Sequence, residues 1–246
     1  MKSKVLPFVL ILTITLTSCA SKIIETALKK AGVTDKQVTL TKIEHSEKDL
    51  LFLEMVHLGQ KEFYDDVKHK VDSLTSLDYH VFYEGLYLRR SDRIIKEKDT
   101  ISYLKVRKLL GLDPLIDYSK TKPFSVFVDD YNLVDQPDYI DLGITKFNSE
   151  PVDISLVEQI ELYENLNGEI QLDECDFDTK LVDENYNCEK LSKKERKLYM
   201  DEIVFKKRNQ KVYENIQSSD KDKILIIYGK KHLNGISKLI EKKEIQ

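Results

Sequence analysis

Hydrophobic and polar positions along the chain switch repeatedly between a two-residue and a three-to-four-residue period. Ser21 to Gly32 reads as a short amphipathic helix. Val38 to Ile43 alternates, the polar stretch His45-Ser46-Glu47-Lys48-Asp49 follows, and Leu50 to Met55 is an apolar run, together predicting a β-hairpin. Phe63, Val67, Val71 and Leu74 form a helical stripe. Tyr79 to Tyr83 is the next strand, ending at Glu84-Gly85, and this strand, helix, strand order predicts a parallel pair with a crossover helix.

Further along, Ser91 to Leu110 is predicted helical, stopped by Gly111 and Pro114. Pro123 to Leu142 reads as short strands and loops. A helix carrying Leu156, Ile160 and Tyr163 follows, with Asp153 or Ser155 as its cap. Asn165 to Cys188 is acidic, lacks periodicity and is expected to be an exposed excursion. Ser192 opens a long helix through Ile216, where Ser192 and Glu195 fit a capping box. Ile224 to Tyr228 is a continuous apolar strand of the kind buried on both faces, and Leu233 to Ile245 returns to helical spacing. The alternation of elements predicts an α/β fold: a single domain with a largely parallel or mixed central sheet and helices on both faces.

The start of the chain stands apart from this pattern. Lys2 and Lys4 precede an apolar run from Val5 to Leu16, too short for a comfortable membrane span, and Leu16-Thr17-Ser18-Cys19 is a small-residue site ending in cysteine. The arrangement resembles a bacterial lipoprotein signal peptide. It implies removal of residues 1–18, acylation of Cys19 with palmitate-like chains, and a protein anchored by lipid at the extracytoplasmic side of the cell envelope. Residues 19–36 would then hold the anchor and the short helix, and 37–246 the α/β domain.

Composition adds limits. Apolar residues make up 41% of the 246-residue chain, enough for a packed core, and 33% are charged, giving a mixed surface. The formal net charge is only -4 and no basic face stands out, so nucleic acid is not expected as a partner. Besides Cys19 the chain has Cys175 and Cys188. In an exported protein these two either close a small disulfide loop or stay as thiols.

Candidate chemistry gathers where strands give way to helices. His57-Leu58-Gly59 follows the run ending in Met55, Glu84 ends the next strand, and Gly229-Lys230-Lys231-His232 follows the last one. In open α/β sheets this carboxyl-end rim is where ligands bind. His57, Glu84 and His232 are thus candidates for one site. His45, His69 and His80 fall on a hairpin turn, a helix surface and a strand interior, and are expected to be bystanders.

The Glu54-Met55-Val56-His57-Leu58-Gly59 patch, Phe63-Tyr64, Tyr83-Glu84-Gly85, Arg208-Asn209 and Gly229 to Gly235 resemble, in that order, the TraB/GumN family. That family includes the TIKI proteases and is related more distantly to erythromycin esterases and haem-binding ChaN-like proteins. The chain departs from it at Glu54, where members commonly carry Gly; Glu three residues before His is similar to the erythromycin esterase pattern. The resemblance implies a hydrolase of a peptide or ester with His57, Glu84, Arg208 and His232 as catalytic residues, and Glu54 and Asn209 as additional ones. In a metal-dependent version His57, Glu84 and His232 would ligate manganese, cobalt or zinc. In a metal-free version His57 is the general base, Glu84 orients it and Arg208 faces the developing oxyanion. A catalytically silent envelope protein that binds a peptide signal, haem or another small molecule is the alternative.

Overall fold

The computed structural model describes residues 22–85, 99–115, 117–121, 124–181 and 186–244. The expected signal segment with Cys19, and the first part of the helix predicted from Ser91, lie outside these residues.

A five-stranded mixed sheet organises the fold. In chain order its strands are β1 (Leu40–Ile43), β2 (Asp49–Met55), β4 (His80–Tyr83), β6 (Ser149–Pro151) and β7 (Lys223–Gly229). Across the sheet the order is β1-β2-β7-β4-β6; β1 and β2 are antiparallel and the other neighbours are parallel. The predicted hairpin is therefore present. β2 and β4 run parallel but are not neighbours, because β7 lies between them, pairing Leu53 with Ile227 and Ile227 with Tyr83. The physical reason is burial: Ile224 to Tyr228 is fully enclosed, and the most apolar strand takes the centre.

Alternation along the strands divides the core between the two faces. On one, Leu53, Met55, Val81, Leu225 and Ile227 pack on Phe63, Val67 and Val71 of helix α2 (Lys61–Thr75). On the other, Leu50, Phe52, Phe82, Ile224, Ile226 and Tyr228 meet Val212 and Ile216 of α8 (Arg208–Ser218) and Ile236 and Ile240 of α9 (Leu233–Glu244). Helices thus cover both faces of an α/β domain.

Two outer layers complete it. A helix over 22–30, α1, brings Leu28 and Ile24 against Leu58, Phe127 and Leu133, with the short helix α4 (Val128–Tyr131) packed on them, beside a two-stranded sheet of β3 (Leu58–Gln60) and β5 (Leu133–Asp135). Elsewhere α3 (Thr100–Leu110) and α5 (Leu156–Asn167) pack on Tyr199 and Ile203. Ser155 caps α5 by accepting from the Glu158 amide at 3.2 Å, which settles the cap left open between it and Asp153.

The predicted long helix exists, with an irregular middle. Lys193–Leu198 (α7) is α-helical, with the capping box of Ser192 and Glu195, Tyr199–Lys207 winds as a wide π-helix, and α8 continues from Arg208. Such wide turns re-phase side chains along a helix.

The segment read as an exposed excursion is exposed over most of its length, and a few buried residues dock it on the domain as a lobe. Cys175 and Cys188 form a disulfide, α6 (Glu174–Asp178) has its own capping box, and Ile170, Asp176, Tyr186 and Cys188 are buried. Cationic side chains on α3 hold the lobe: Arg107 donates to the Asp176 and Lys180 carbonyls at 2.7 and 2.9 Å, and Lys108 donates to Asp173 at 2.7 Å. The lobe's own carboxylates and carbonyls thus point inward at two cations, which an alternation pattern does not register.

Candidate functional site

Four parallel-strand ends converge on one rim. β2 leads to His57, β4 to Glu84, β6 to Asp153, and β7 through Gly229 and a short 3-10 turn (Lys230–His232) to α9. The parallel register brings these ends together, as expected of a carboxyl-end site.

Glu84, Arg208 and His232 are each about 5% exposed or less, so their interactions act in a water-poor setting. Arg208 Nη2 donates to Glu84 Oε1, and Arg208 grips Asp153 with two bonds of 2.8 Å, from Nε to Oδ1 and from Nη2 to Oδ2. Its guanidinium lies 5.3 Å from the Tyr228 ring centre. The second Glu84 oxygen accepts from the Gly229 amide at 3.3 Å, and the Glu84 carbonyl accepts from the Tyr139 hydroxyl at 2.9 Å.

These contacts decide the charges. Burial by itself would raise the Glu84 pKa, but Arg208 first, then the two histidines, pull it down to about 2. Burial would likewise lower Arg208, yet the Glu84 and Asp153 carboxylates hold it well above its ordinary value. The pair is ionised throughout the physiological range.

His232 behaves differently. Burial, reinforced by the Arg208 cation, depresses its pKa to about 4, so the ring is neutral. Its Nδ1 lies 2.6 Å from Asn209 Oδ1, and an amide oxygen only accepts, so Nδ1 carries the proton and Nε2 is the basic atom. Tyr228 and Phe205 pack on the ring at 4.9 and 5.3 Å. Gly235 makes the Asn209 contact possible: a Cβ there would lie 2.0 Å from Asn209 Nδ2.

His57 is half-buried, and the same device holds it. Its Nδ1 is 3.0 Å from Gln136 Oε1, its carbonyl accepts from the Gln136 amide at 2.9 Å, and its ring stacks on Tyr118 with centroids 5.7 Å apart. Both histidines thus present Nδ1–H to a side-chain amide oxygen. His57 also influences the ionisation of both Glu84 and His232, so the three belong to one electrostatic unit.

Among residues named from the sequence, His57, Glu84, Arg208, Asn209 and His232 are brought together. Glu54 is placed otherwise: its carboxylate pairs with Lys230 at 3.1 Å and accepts from Thr41 of β1 at 3.5 Å. His45 accepts two backbone amides in the β1–β2 turn, His69 is exposed on α2, and His80 lies beside Glu150. Arg89 and Arg90, the other cations near Glu84 in sequence, lie outside the described residues. Asp153, Gln136, Tyr139 and Tyr228 are site residues that the sequence reading did not single out. Asp153 and Tyr228 sit at or just past parallel-strand ends, and that position is the signal by which they were findable.

Arg208 faces two carboxylates, so its charge is spent on holding them. Glu84 has one oxygen on Arg208 and the other on a backbone amide. Among the described residues no group of three His, Cys, Asp or Glu side chains is arranged to hold a metal ion. Comparison of the chain with protein-family models, with curated proteins and with solved structures finds no match.

Proposed function

We propose that the protein is an extracytoplasmic, lipid-anchored hydrolase of a peptide or ester, similar to the TraB/GumN proteins, with His57 as its general base. The observation that carries the reading is the matched pair of histidines. Each is held through Nδ1 by an amide oxygen, and both lie in the field of one ionised carboxylate, Glu84. Fixing Nδ1–H makes Nε2 the atom that takes a proton from water, and a nearby carboxylate stabilises the imidazolium that results.

In this site His57 accepts the proton of a water that attacks the substrate carbonyl and returns it to the leaving group. Glu84 stabilises the protonated ring. Arg208 and Asp153 are positioning residues that keep Glu84 ionised and fixed. His232, neutral and buried, supplies a hydrogen-bond acceptor at the rear of the site.

The near-complete burial of Glu84, Arg208 and His232 favours a second reading, a non-catalytic envelope protein that binds a peptide signal, haem or another small ligand. A panel of chromogenic esters and fluorogenic peptides, with and without added manganese, cobalt or zinc, separates the two. Turnover that falls by roughly a hundredfold or more in His57→Gln, the typical worth of a general base, supports the hydrolase. Turnover unchanged by that substitution, or none with any substrate, sinks it.

A further inference from the structure

We propose that α1 and the layer packed on it form a membrane-docking face, occupied by a phospholipid bilayer, and that the wall of the site carrying His57 lies against that bilayer. The proposal rests on the acylation of Cys19. Its geometric basis is the shortness of the tether. α1 is already formed at residue 22, three residues after Cys19. An extended chain advances at most about 3.6 Å per residue, so the start of α1 stays within roughly 11 Å of the lipid-attached cysteine.

What packs on α1 is then held there too. Ile24 and Leu28 share a cluster with Val33, Leu58, Phe124, Phe127, Leu133 and Tyr118. Tyr131 donates to Glu25 of α1 at 2.6 Å. Leu58 is the residue after His57, and Tyr118 is the ring stacked on His57. One packed layer thus joins the tether to the site.

The layer also carries apolar side chains turned to solvent. Ile23 is 70% exposed, Val126 61% and Val134 39%; they adjoin in sequence the half-buried Ile24 and the buried Phe127 and Leu133 of this layer. Single exposed apolar residues are ordinary. Three on the layer that the tether confines to the interface are suited to the headgroup boundary, where amphipathic helices settle. Charges here are mixed, Lys22, Lys29 and Lys30 against Glu25, Asp129 and Asp130, so apolar insertion rather than anionic lipid drives docking. The substrate class follows: a peptide or ester borne by an amphiphile at the bilayer surface reaches His57 without leaving it.

The chain has no tryptophan, so an introduced one reports alone. The full chain, produced with its leader in a bacterium, would carry Ile23→Trp, Val126→Trp or Phe147→Trp in turn. Phe147, 85% exposed, precedes β6 at the amino ends of the strands, away from the site. Each variant is reconstituted into phosphatidylcholine vesicles with or without brominated acyl chains, and intact mass reports acylation. Docking predicts acylated protein with roughly twofold quenching at positions 23 and 126 and little at 147, the contrast expected for insertion to the acyl boundary. Acylated protein quenched equally at all three, or most at 147, or at none, overturns the docking face and leaves the anchor and the hydrolase reading standing. Unmodified protein without quenching overturns the anchor and the docking face together.

Discussion

Asn209 Oδ1 meets His232 Nδ1 at 2.6 Å beside Gly235, the position of α9 that carries no side chain. The contact couples a helix that follows a π-helical segment to a histidine at the end of the central strand. Since a Cβ at position 235 would fall 2.0 Å from the Asn209 amide, Gly235→Ala must push α8 and α9 apart or turn Asn209 away. Overpacking of this kind costs about 1–3 kcal/mol. The expected result is a lower urea midpoint together with a change in the His232 nitrogen shifts, from a single Nδ1–H tautomer to a mixture. Unchanged shifts in a destabilised variant would mean that the lock does not depend on this approach.

Two site groups make the fold acid-sensitive in adjoining pH windows. His232 titrates near 4 when folded against 6.5 ordinarily, so the unfolded chain binds the extra proton between these values and stability falls as pH drops from about 6.5 to 4. Glu84 titrates near 2 against 4.5, so its stabilisation is full above 4.5 and is lost as pH falls toward 2. Each shift corresponds to about 3 kcal/mol at most. Chemical unfolding at stepped pH checks this: His232→Gln is expected to flatten the upper window and Glu84→Gln the lower one. A wild-type stability that stays constant from pH 6.5 to 3 contradicts both assignments.

What the sequence revealed here was local. Alternation located β1, apolar and β-branched runs located β2, β4 and β7, and helical spacing located α2 and the terminal helices, while the rule that ligands gather at carboxyl strand ends pointed to His57, Glu84 and His232. Asp153 was hidden by its surroundings: two residues before a capping serine it reads as a helix start, while its actual partner, Arg208, is far away in sequence on another element. The insertion of β7 between β2 and β4 depends on which strands compete for the centre, a comparison that crossover length does not encode. The segment around Cys175 is largely solvated, as its composition suggests, but its attachment through buried cations on α3 was not legible, because few of its own residues are apolar. Nothing in the spacing of Tyr199 to Lys207 distinguishes π from α winding.

Arg208 is expected to be worth more than either of its acids. Removing it leaves Glu84 and Asp153 as two buried carboxylates without a countercharge, so Arg208→Met should cost about 3–5 kcal/mol. Glu84→Gln leaves the bidentate Asp153 pairing in place and should cost clearly less. A triple variant, Glu84→Gln with Asp153→Asn and Arg208→Met, should recover part of the Arg208→Met loss, because no net charge remains buried. Equal costs for the two single variants in urea unfolding would show that water reaches the cluster and screens it.

The disulfide and Arg107 should prove energetically coupled. Cys175 and Cys188 close a loop of 13-residue separation, and in the loop-entropy account their replacement by alanine costs about 3 kcal/mol. Arg107 is wholly buried, lies 4.4 Å from the Tyr186 ring centre, and spends its guanidinium on carbonyls of that loop. Once the loop opens, those acceptors are free to leave, and the buried Arg107 cation loses two hydrogen bonds while keeping the Asp113 carboxylate 3.8 Å away. Opening the loop therefore undercuts the arginine, and replacing the arginine by methionine removes much of what the disulfide holds in place. A double-mutant cycle between the Cys175→Ala/Cys188→Ala pair and Arg107→Met should give a coupling of about 0.5–3 kcal/mol, with the double change costing less than the two separate costs together. Hydrogen exchange offers a second check: in the alanine pair, protection should be lost over 173–181 and in the last turn of α3 while β7 stays protected. Strict additivity, with exchange unchanged in α3, would mean that the lobe stays docked without its disulfide.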